Sequence, residues 1–324
     1  MIYSRITGTG SHLPAKVITN KDLERMVDTT DEWIRTRTGI ERRHVAADGE
    51  TTVDLAEVAA RRACEAAGLA VTDVDFIAFG TTTPDFVFPN CGVLLQQRLG
   101  CFGGPAFSVE TACSGFIYAL SIADKFVRAG EAKCALVIGA ETLSRITDWK
   151  DRSTAVLFAD GAGALVLRPT SEPGILSTHL HADGSYKDLL YCPGGASQGS
   201  PPRDELHSRR VIAMAGNEVF RLAVMSLGRA VDEALSANQL ERSAIDWLVP
   251  HQANIRIIQA TARRLDLPME RVVVTVQEHG NTSAASVPLA LDVAVRDGRI
   301  RRGQLVLLEA FGGGFTWGSA LVRY

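Results

Sequence analysis

These 324 residues contain no long run of like charge, no Cys-x-x-Cys pair and no apolar stretch long enough to span a bilayer. The first absence, with a formal charge of −3, removes the electrostatic footprint of a nucleic-acid binder. The short arginine clusters at 209–210, 263–264 and 299–302 read as solvated faces or small basic patches. The second absence, in a chain far longer than a disulfide-stapled mini-domain, points to reduced thiols at positions 64, 91, 101, 113, 134 and 192. The third, with an N-terminus that lacks a basic segment followed by an apolar run, points to a cytoplasmic protein without a membrane partner. His179, His181 and Asp183 have a metal-like spacing. They alternate along a strand-like segment with no further ligand, so they read as structural and no metal is expected.

What the chain has is alternation of strand and helix. With 46% hydrophobic residues it can bury a large core, as two domains or one double domain. Strands are expected at 2–8, 74–80, 107–109, 134–139, 163–167, 245–249, 272–276, 305–309 and 317–323. Helices are expected at 21–27 (with Asn20 as cap), 54–67, 89–99, after Cys113, and at 216–237, 254–265 and 283–296. The near-continuous apolar run at 74–80 suits a strand buried on both faces of a parallel sheet. The halves also align with each other. Gly68-Leu69-Ala70-Val71-Thr72-Asp73-Val74-Asp75 lines up with Gln239-Leu240-Glu241-Arg242-Ser243-Ala244-Ile245-Asp246, an offset of 171 residues from Leu69 to Leu240. One duplication is therefore expected, giving halves 1–170 and 171–324 that join at the turn-rich 169–174 and pack as a layered α/β sandwich.

In such sheets functional groups collect at the carboxyl ends of strands. Three segments put chemistry there. Cys113 follows strand 107–109 and opens a helical pattern, where unpaired N–H groups and the helix dipole favour thiolate. The alternative is a buried cysteine that packs as a small hydrophobe, which is also the reading for Cys64, Cys91, Cys101, Cys134 and Cys192. His251 and Asn254 follow strand 245–249, and His279 to Ser283 follow strand 272–276. Taken singly, these are a hydrogen-bonded histidine and a turn with a helix cap; Gly312-Gly313-Gly314 is a tight turn without the Lys-Ser/Thr of a P-loop. Together they supply a thiolate, a base or donor, an amide donor and bare backbone N–H groups, a set suited to acyl-thioester chemistry.

The motifs in order are Thr30-Asp-Glu-Trp-Ile, Arg37-Thr-Gly-Ile, Thr111-Ala-Cys-Ser-Gly-Phe, Asp160-Gly-Ala-Gly-Ala, His251-Gln-Ala-Asn, His279-Gly-Asn-Thr-Ser and Phe311-Gly-Gly-Gly-Phe-Thr-Trp-Gly. Over essentially the whole chain they resemble the β-ketoacyl-acyl-carrier-protein synthase III family. The resemblance implies a thiolase-like fold, layered α-β-α-β-α, and a homodimer. It implies a decarboxylative condensation of an acyl-CoA starter with malonyl-acyl-carrier protein, with CoA thioesters as substrates and no cofactor. By carry-over, Cys113 is the nucleophile, and His251 and Asn281 hold the malonyl thioester oxygen. The Cys113 and Gly313 N–H groups form the oxyanion hole, and Phe311 keeps water out. Trp33 and Arg152 sandwich the CoA adenine, and Arg37 and Thr38 hold the nucleotide end. Gly216 and Asn254 line the pantetheine tunnel, and Phe88 closes the partner's acyl pocket. Arg221, Arg256 and Arg263 meet the acidic carrier protein, or else are ordinary surface charge.

Three departures from the family pattern stand out. Glu110 precedes the nucleophile, where a buried carboxylate would raise the thiol pKa. Glu278 lies near Asn281, and 199–206 differs from a glycine-rich loop. They allow a specialised paralogue that loads another starter for a quinolone- or polyketide-type product. A non-catalytic carrier-protein binding module is the alternative of another class. A degradative thiolase would need a second cysteine in the glycine motif, and none is there.

Overall fold

The computed structural model describes residues 2–198 and 210–324. The departing 199–206 segment and Arg209 lie outside the described residues. Five strands form the first sheet, in the order Tyr3–His12, Asp160–Thr170, Ala135–Thr142, Phe76–Gly80 and Ala106–Val109. Four form the second, in the order Ile175–Ala182, Thr316–Arg323, Leu305–Gly312 and Trp247–Pro250. In each sheet the first two strands named run antiparallel, the second and third also pair antiparallel, and the third and fourth pair parallel. A parallel bridge from Leu248 to Val272 stands in the second sheet where the first has its fifth strand.

Between the sheets lie the helices Gly115–Ala129 and Ser286–Arg296. Their apolar faces, with Phe116, Ile117, Leu120 and Val127 on one and Val287, Ala290, Leu291 and Ala294 on the other, share one core with Val137 and Leu165 of the first sheet and Val306 and Leu308 of the second. The outer faces are covered separately. Helices Thr52–Ala66 and Cys91–Leu99 pack Leu55, Ala59 and Leu95 on the first sheet. Helices Gly216–Ala237 and Ile255–Leu265 pack Val231, Ile258 and Ala262 on the second. The result is five layers, α-β-α-β-α. All five side chains of Phe76–Gly80 are buried, as a strand enclosed on both faces requires.

The expected elements recur with shifted ends, and two differ in kind. Thr19, not Asn20, caps the first helix, which is only Asn20–Leu23. Residues 272–276 are not a strand. The Val273 N–H donates to the Leu248 carbonyl at 2.9 Å, and one buried amide takes the next bonds: Gln252 Nε2 donates to the Val273 carbonyl at 3.1 Å, and Gln252 Oε1 accepts from the Thr275 and Val276 N–H groups at 2.8 and 3.1 Å. A side chain thus makes the bonds a neighbouring strand would make, and the chain turns at once into helix Val276–His279. His179 and His181 both face Glu233, and Trp317 stacks on His181. No metal-binding group of three or more His, Cys, Asp or Glu occurs among the described residues, and no helix among them is long and apolar enough to cross a membrane.

Candidate active site

Strand Ala106–Val109 runs into a 3-10 turn, Ala112–Ser114, and then into helix Gly115–Ala129. Ala112 takes left-handed backbone at φ 47°, which turns the chain sharply and sets Cys113 beneath the helix start. The turn is tied from the other half of the chain: Ser114 Oγ donates to the Thr111 carbonyl at 2.7 Å and to Thr316 Oγ1 at 2.8 Å. Phe311-Gly312-Gly313 folds directly over it. A Cβ on Gly312 would stand 2.6 Å from the Cys113 nitrogen, so only glycine allows this approach. Burial, aided by the Glu141 carboxylate, pushes the Cys113 thiol up to about 11, against hydrogen bonds from Ser283 and the Cys113 backbone. Desolvation thus opposes the pull of the helix terminus on the sulfur.

His251 follows strand Trp247–Pro250, with its N–H donating to the Glu309 carbonyl at 2.8 Å. Its Nδ1 lies 2.6 Å from Ser286 Oγ, at the start of helix Ser286–Arg296. A neutral imidazole that accepts at Nδ1 from Ser286 carries its hydrogen on Nε2. Burial alone lowers the His251 pKa to about 3, so the ring is neutral and acts as a donor rather than a cation. Asn281 is fixed just as firmly. Its N–H donates to the Leu157 carbonyl and its own carbonyl accepts from Ala159 N–H, each at 2.9 Å. Oδ1 accepts from Ser283 N–H at 2.9 Å, which orients the amide and leaves Nδ2 as the free donor.

Cys113, His251 and Asn281 line one narrow cavity of about 90 Å³, with Gly216, Asn254, Phe220 and Phe311 among its other walls. A second cavity of about 220 Å³ meets Cys113 from the other side, walled by Leu143, Ile146, Phe158, Leu190, Ile212 and Gly313. The sulfur therefore sits where a mixed tunnel and an apolar chamber join. A wider groove, about 670 Å³, contacts neither Cys113, His251 nor Asn281 and lies beyond Thr82, Ile146 and Cys192.

Residues 107–184 match the family described as 3-oxoacyl-[acyl-carrier-protein] synthase III, and residues 235–324 match its C-terminal region. A β-ketoacyl-[acyl-carrier-protein] synthase III of Thioalkalivibrio sulfidiphilus is 64% identical over 324 residues, all of both chains. The chain belongs to the 3-oxoacyl-[acyl-carrier-protein] synthase III family. The crystal structure of the Aquifex aeolicus synthase III superposes with a TM-score of 0.92 at 45% identity, over 99% of this chain and 100% of that one. A priming β-ketosynthase of a polyketide biosynthetic pathway superposes at 0.93 with 37% identity, over 99% and 96%. The fold is thus the thiolase-like sandwich of the synthase III enzymes.

The other residues expected from the synthase III pattern fall into three places. Trp33 lies on helix Asp31–Thr38, half-buried, with the Arg152 guanidinium 4.8 Å and that of Arg37 5.2 Å from its ring centre. Arg152 rests on the ring itself, so a base entering between them must displace it. Thr38 does not join this exposed group. It is buried, its hydroxyl donates to the Ile34 carbonyl at 2.7 Å and accepts from Ile40 N–H at 3.0 Å, and it serves the helix end. On helices Gly216–Ala237 and Ile255–Leu265, Arg221, Arg256 and Arg263 are exposed and form no ion pair among the described residues, whereas their neighbour Arg264 is held by Asp232 at 2.6 Å. On another face, Phe86, Val87 and Phe88 are 57, 79 and 83% exposed, a patch too apolar to be indifferent to water.

Three expectations about acids and thiols change. Glu110 is exposed rather than buried. Glu278 is exposed and pairs with Arg42 at 3.1 Å. Cys192 is exposed at the rim of the apolar chamber and is not a packing residue. The carboxylate that acts on Cys113 is Glu141, fully buried at the end of strand Ala135–Thr142. Sequence reading missed it. The available signal was an acid interrupting an otherwise apolar strand.

Proposed function

We propose that the chain forms a β-ketoacyl thioester by decarboxylative condensation of an acyl-CoA starter with malonyl-acyl-carrier protein, through an acyl group on Cys113. What supports this reading is the convergence of Cys113, His251 and Asn281 on one cavity, although they come from the ends of two strands in different sheets and from the turn after helix Val276–His279. In the first half-reaction the sulfur attacks the thioester carbonyl, and the Cys113 and Gly313 N–H groups hold the oxyanion. CoA leaves through the narrow tunnel past Asn254 and Gly216, and the acyl chain rests in the apolar chamber. In the second, malonyl-carrier protein enters and loses carbon dioxide, and its thioester oxygen gains enolate charge. His251 Nε2–H and Asn281 Nδ2–H donate to that oxygen. Both are neutral, so neither competes for the thiol's proton. Each such donor contributes roughly 2.7–4 kcal/mol to lowering the barrier. Phe311, buried over the cavity, excludes water that would hydrolyse the acyl-enzyme.

Around this centre, Trp33, Arg37 and Arg152 take the CoA nucleotide, with Arg152 swinging off the ring to admit the base. Arg221, Arg256 and Arg263 meet the acidic carrier protein. The Phe86-Val87-Phe88 patch is the contact of a homodimer, in which Phe88 reaches the partner's acyl chamber. The halves 1–170 and 171–324 are copies of one ancestral unit, consistent with the repeated strand order. CoA thioesters being substrates, the reaction uses no further cofactor.

The test is intact-mass measurement after incubation with a panel of acyl-CoA thioesters, on the protein and on Cys113→Ala. The expected result is an acyl adduct on the former and none on the latter. No adduct with any chain length would overturn the reading and favour a carrier-protein binding module. A medium-chain adduct forming much faster than acetyl would assign a specialised starter.

A further inference from the structure

Arg43, in strand Arg42–Val45, is wholly enclosed by the fold. Its hydrogen-bond partners among the described residues are all neutral oxygens. Nη1 donates to Asn20 Oδ1 at 2.9 Å and to the Ile18 carbonyl at 3.3 Å, and Nη2 donates to the Val156 carbonyl at 2.9 Å. Nε has no acceptor. Burial lowers its pKa only to about 10, so it remains a cation at neutral pH. A buried cation without a counter-ion is unfavourable, and an apolar chain of similar length would fill the space with less penalty. What an arginine adds is a rigid planar fork that holds acceptors from separate segments at a fixed spacing.

The segments joined are those around Trp33, Arg152 and Asn281. Asn20, itself buried, passes one link on: its Nδ2 donates to Asp31 Oδ1 and to the Ile40 carbonyl, each at 2.8 Å. Asp31 opens helix Asp31–Thr38 and Ile40 follows its Gly39 cap, so one amide holds both ends of the helix that carries Trp33 and Arg37. The other prong holds Val156, which caps the short helix Arg152–Ala155. The next residues, Leu157 and Phe158, wall the narrow cavity, and the Leu157 carbonyl accepts from the Asn281 N–H. The Arg43 strand also lies against the chain leading to Asn281. A Cβ on Gly280 would stand 3.1 Å from Arg43 Cβ, and the Glu41 N–H donates to the Gln277 carbonyl at 2.9 Å. Both helices around the Trp33 ring are thus tied to the cavity wall through one guanidinium.

We propose that Arg43 is a positioning residue that fixes the nucleotide grip of Trp33, Arg37 and Arg152 at a set distance from the cavity wall at Leu157 and Phe158, so that holding the nucleotide places the thioester at Cys113. This rests on the condensing-enzyme reading and adds to it. The nucleotide does not react. Its binding speeds acylation only where the grip is rigid relative to the sulfur, because a loose grip anchors CoA without aligning the carbonyl. Without the fork, the grip residues remain but their spacing from the wall is no longer fixed. The nucleotide then still lowers KM but no longer raises kcat. Being wholly enclosed, Arg43 touches no substrate and acts through these neighbours.

The experiment compares acylation by an acyl-CoA with acylation by the pantetheine thioester of the same acyl group, which lacks the nucleotide. Mass measurement follows the Cys113 adduct over time at several concentrations. In the unmodified protein the CoA thioester should show both a higher saturating rate and a lower half-saturating concentration. In Arg43→Met its saturating rate should fall roughly 10- to 100-fold, while the rate with the pantetheine thioester holds. Arg43→Lys keeps the charge but not the fork and should behave like Arg43→Met. Full rate in Arg43→Lys would assign the effect to charge and overturn the proposal. A role limited to filling the core predicts a lower melting temperature with both thioesters slowed alike or not at all, and overturns it too. If Arg43→Met does not fold, Asn20→Asp decides. It keeps the oxygen that Arg43 bonds and removes both donors to Asp31 and Ile40, so the acyl-CoA rate alone should fall. Absence of any adduct in the unmodified protein would remove the enzyme reading itself. Equal rates with the two thioesters there would remove the nucleotide grip and this proposal with it. A CoA advantage that survives these substitutions removes only this inference.

Discussion

Ala112 and Ser283 lie 171 residues apart, the spacing of the proposed duplication, and take the same left-handed backbone, φ 47° and 49°. Each opens a 3-10 turn, Ala112–Ser114 or Ser283–Ala285, and each turn runs into a helix, Gly115–Ala129 or Ser286–Arg296. The side chains diverge. The middle of the first turn is Cys113 and that of the second is Ala284. At the helix start, Gly115 packs against Gly80, where a Cβ on Gly80 would stand 2.6 Å from the Gly115 carbonyl carbon. At the matching place in the second half, Ser286 meets His251 through a 2.6 Å hydrogen bond. One backbone design thus gives placement twice. One copy keeps bare glycine contact and carries the proposed nucleophile; the other fills the same contact with a polar pair and carries the proposed neutral donors. A symmetric pair of nucleophiles would compete for one acyl group, whereas this division gives each half-reaction its own groups.

The sharpest way to break the comparison is to strip the second copy of its donor. His251→Ala should still form the acyl adduct but condense roughly 100- to 1000-fold more slowly, read by separate acylation and decarboxylation assays. Normal condensation would show that the second half holds no enolate charge. The first copy is tested by bulk. Gly80→Ala forces a methyl against the Gly115 backbone and should cost about 1–3 kcal/mol, read as a lower urea midpoint. An unchanged midpoint would mean the helix start is not in close contact.

Writing the first copy's residue into the second is milder. Ser286→Gly removes the Nδ1 partner and should slow condensation roughly tenfold, about 1.4 kcal/mol, with acylation unchanged. Acylation falling equally would place Ser286 in the nucleophile's machinery instead. The remaining effect is on how stability varies with pH. His251 and His279 are held by burial at about 3 and about 4, below the ordinary histidine value. The unfolded chain then binds more protons than the folded one between those values and about 6.5. Stability is complete above that range and is lost as pH falls through it, by at most about 1.4 kcal/mol per pH unit for each histidine. His279→Gln should flatten this slope in urea titrations at stepped pH; an unchanged slope would assign the proton uptake elsewhere.

Much of this was legible in the chain. Cys113, His251 and Asn281 each follow a short apolar run, and strand ends in α/β sheets point the same way, so local pattern alone marked them. The helix Gly216–Ala237 was bounded correctly because its amphipathic period is long and starts at a glycine. Residues 272–276 misled because β-branched apolar residues look alike whether a strand or a glutamine side chain takes their hydrogen bonds. Glu110 drew notice for its position beside Cys113 in sequence, while Glu141, closer in effect, is 28 residues away and on another strand.

The sequence by itself determined the alternation of strand and helix and marked the three proposed reacting groups, because these depend on side-chain period and on short polar motifs that follow apolar runs. Only the tertiary structure decided the charge state of those groups. Whether Cys113 is thiol or thiolate, and His251 donor or cation, depends on how much water and which carboxylate lie within a few ångströms. Those neighbours arrive from Ser283, Ser286 and Glu141, residues that no local pattern ties to them.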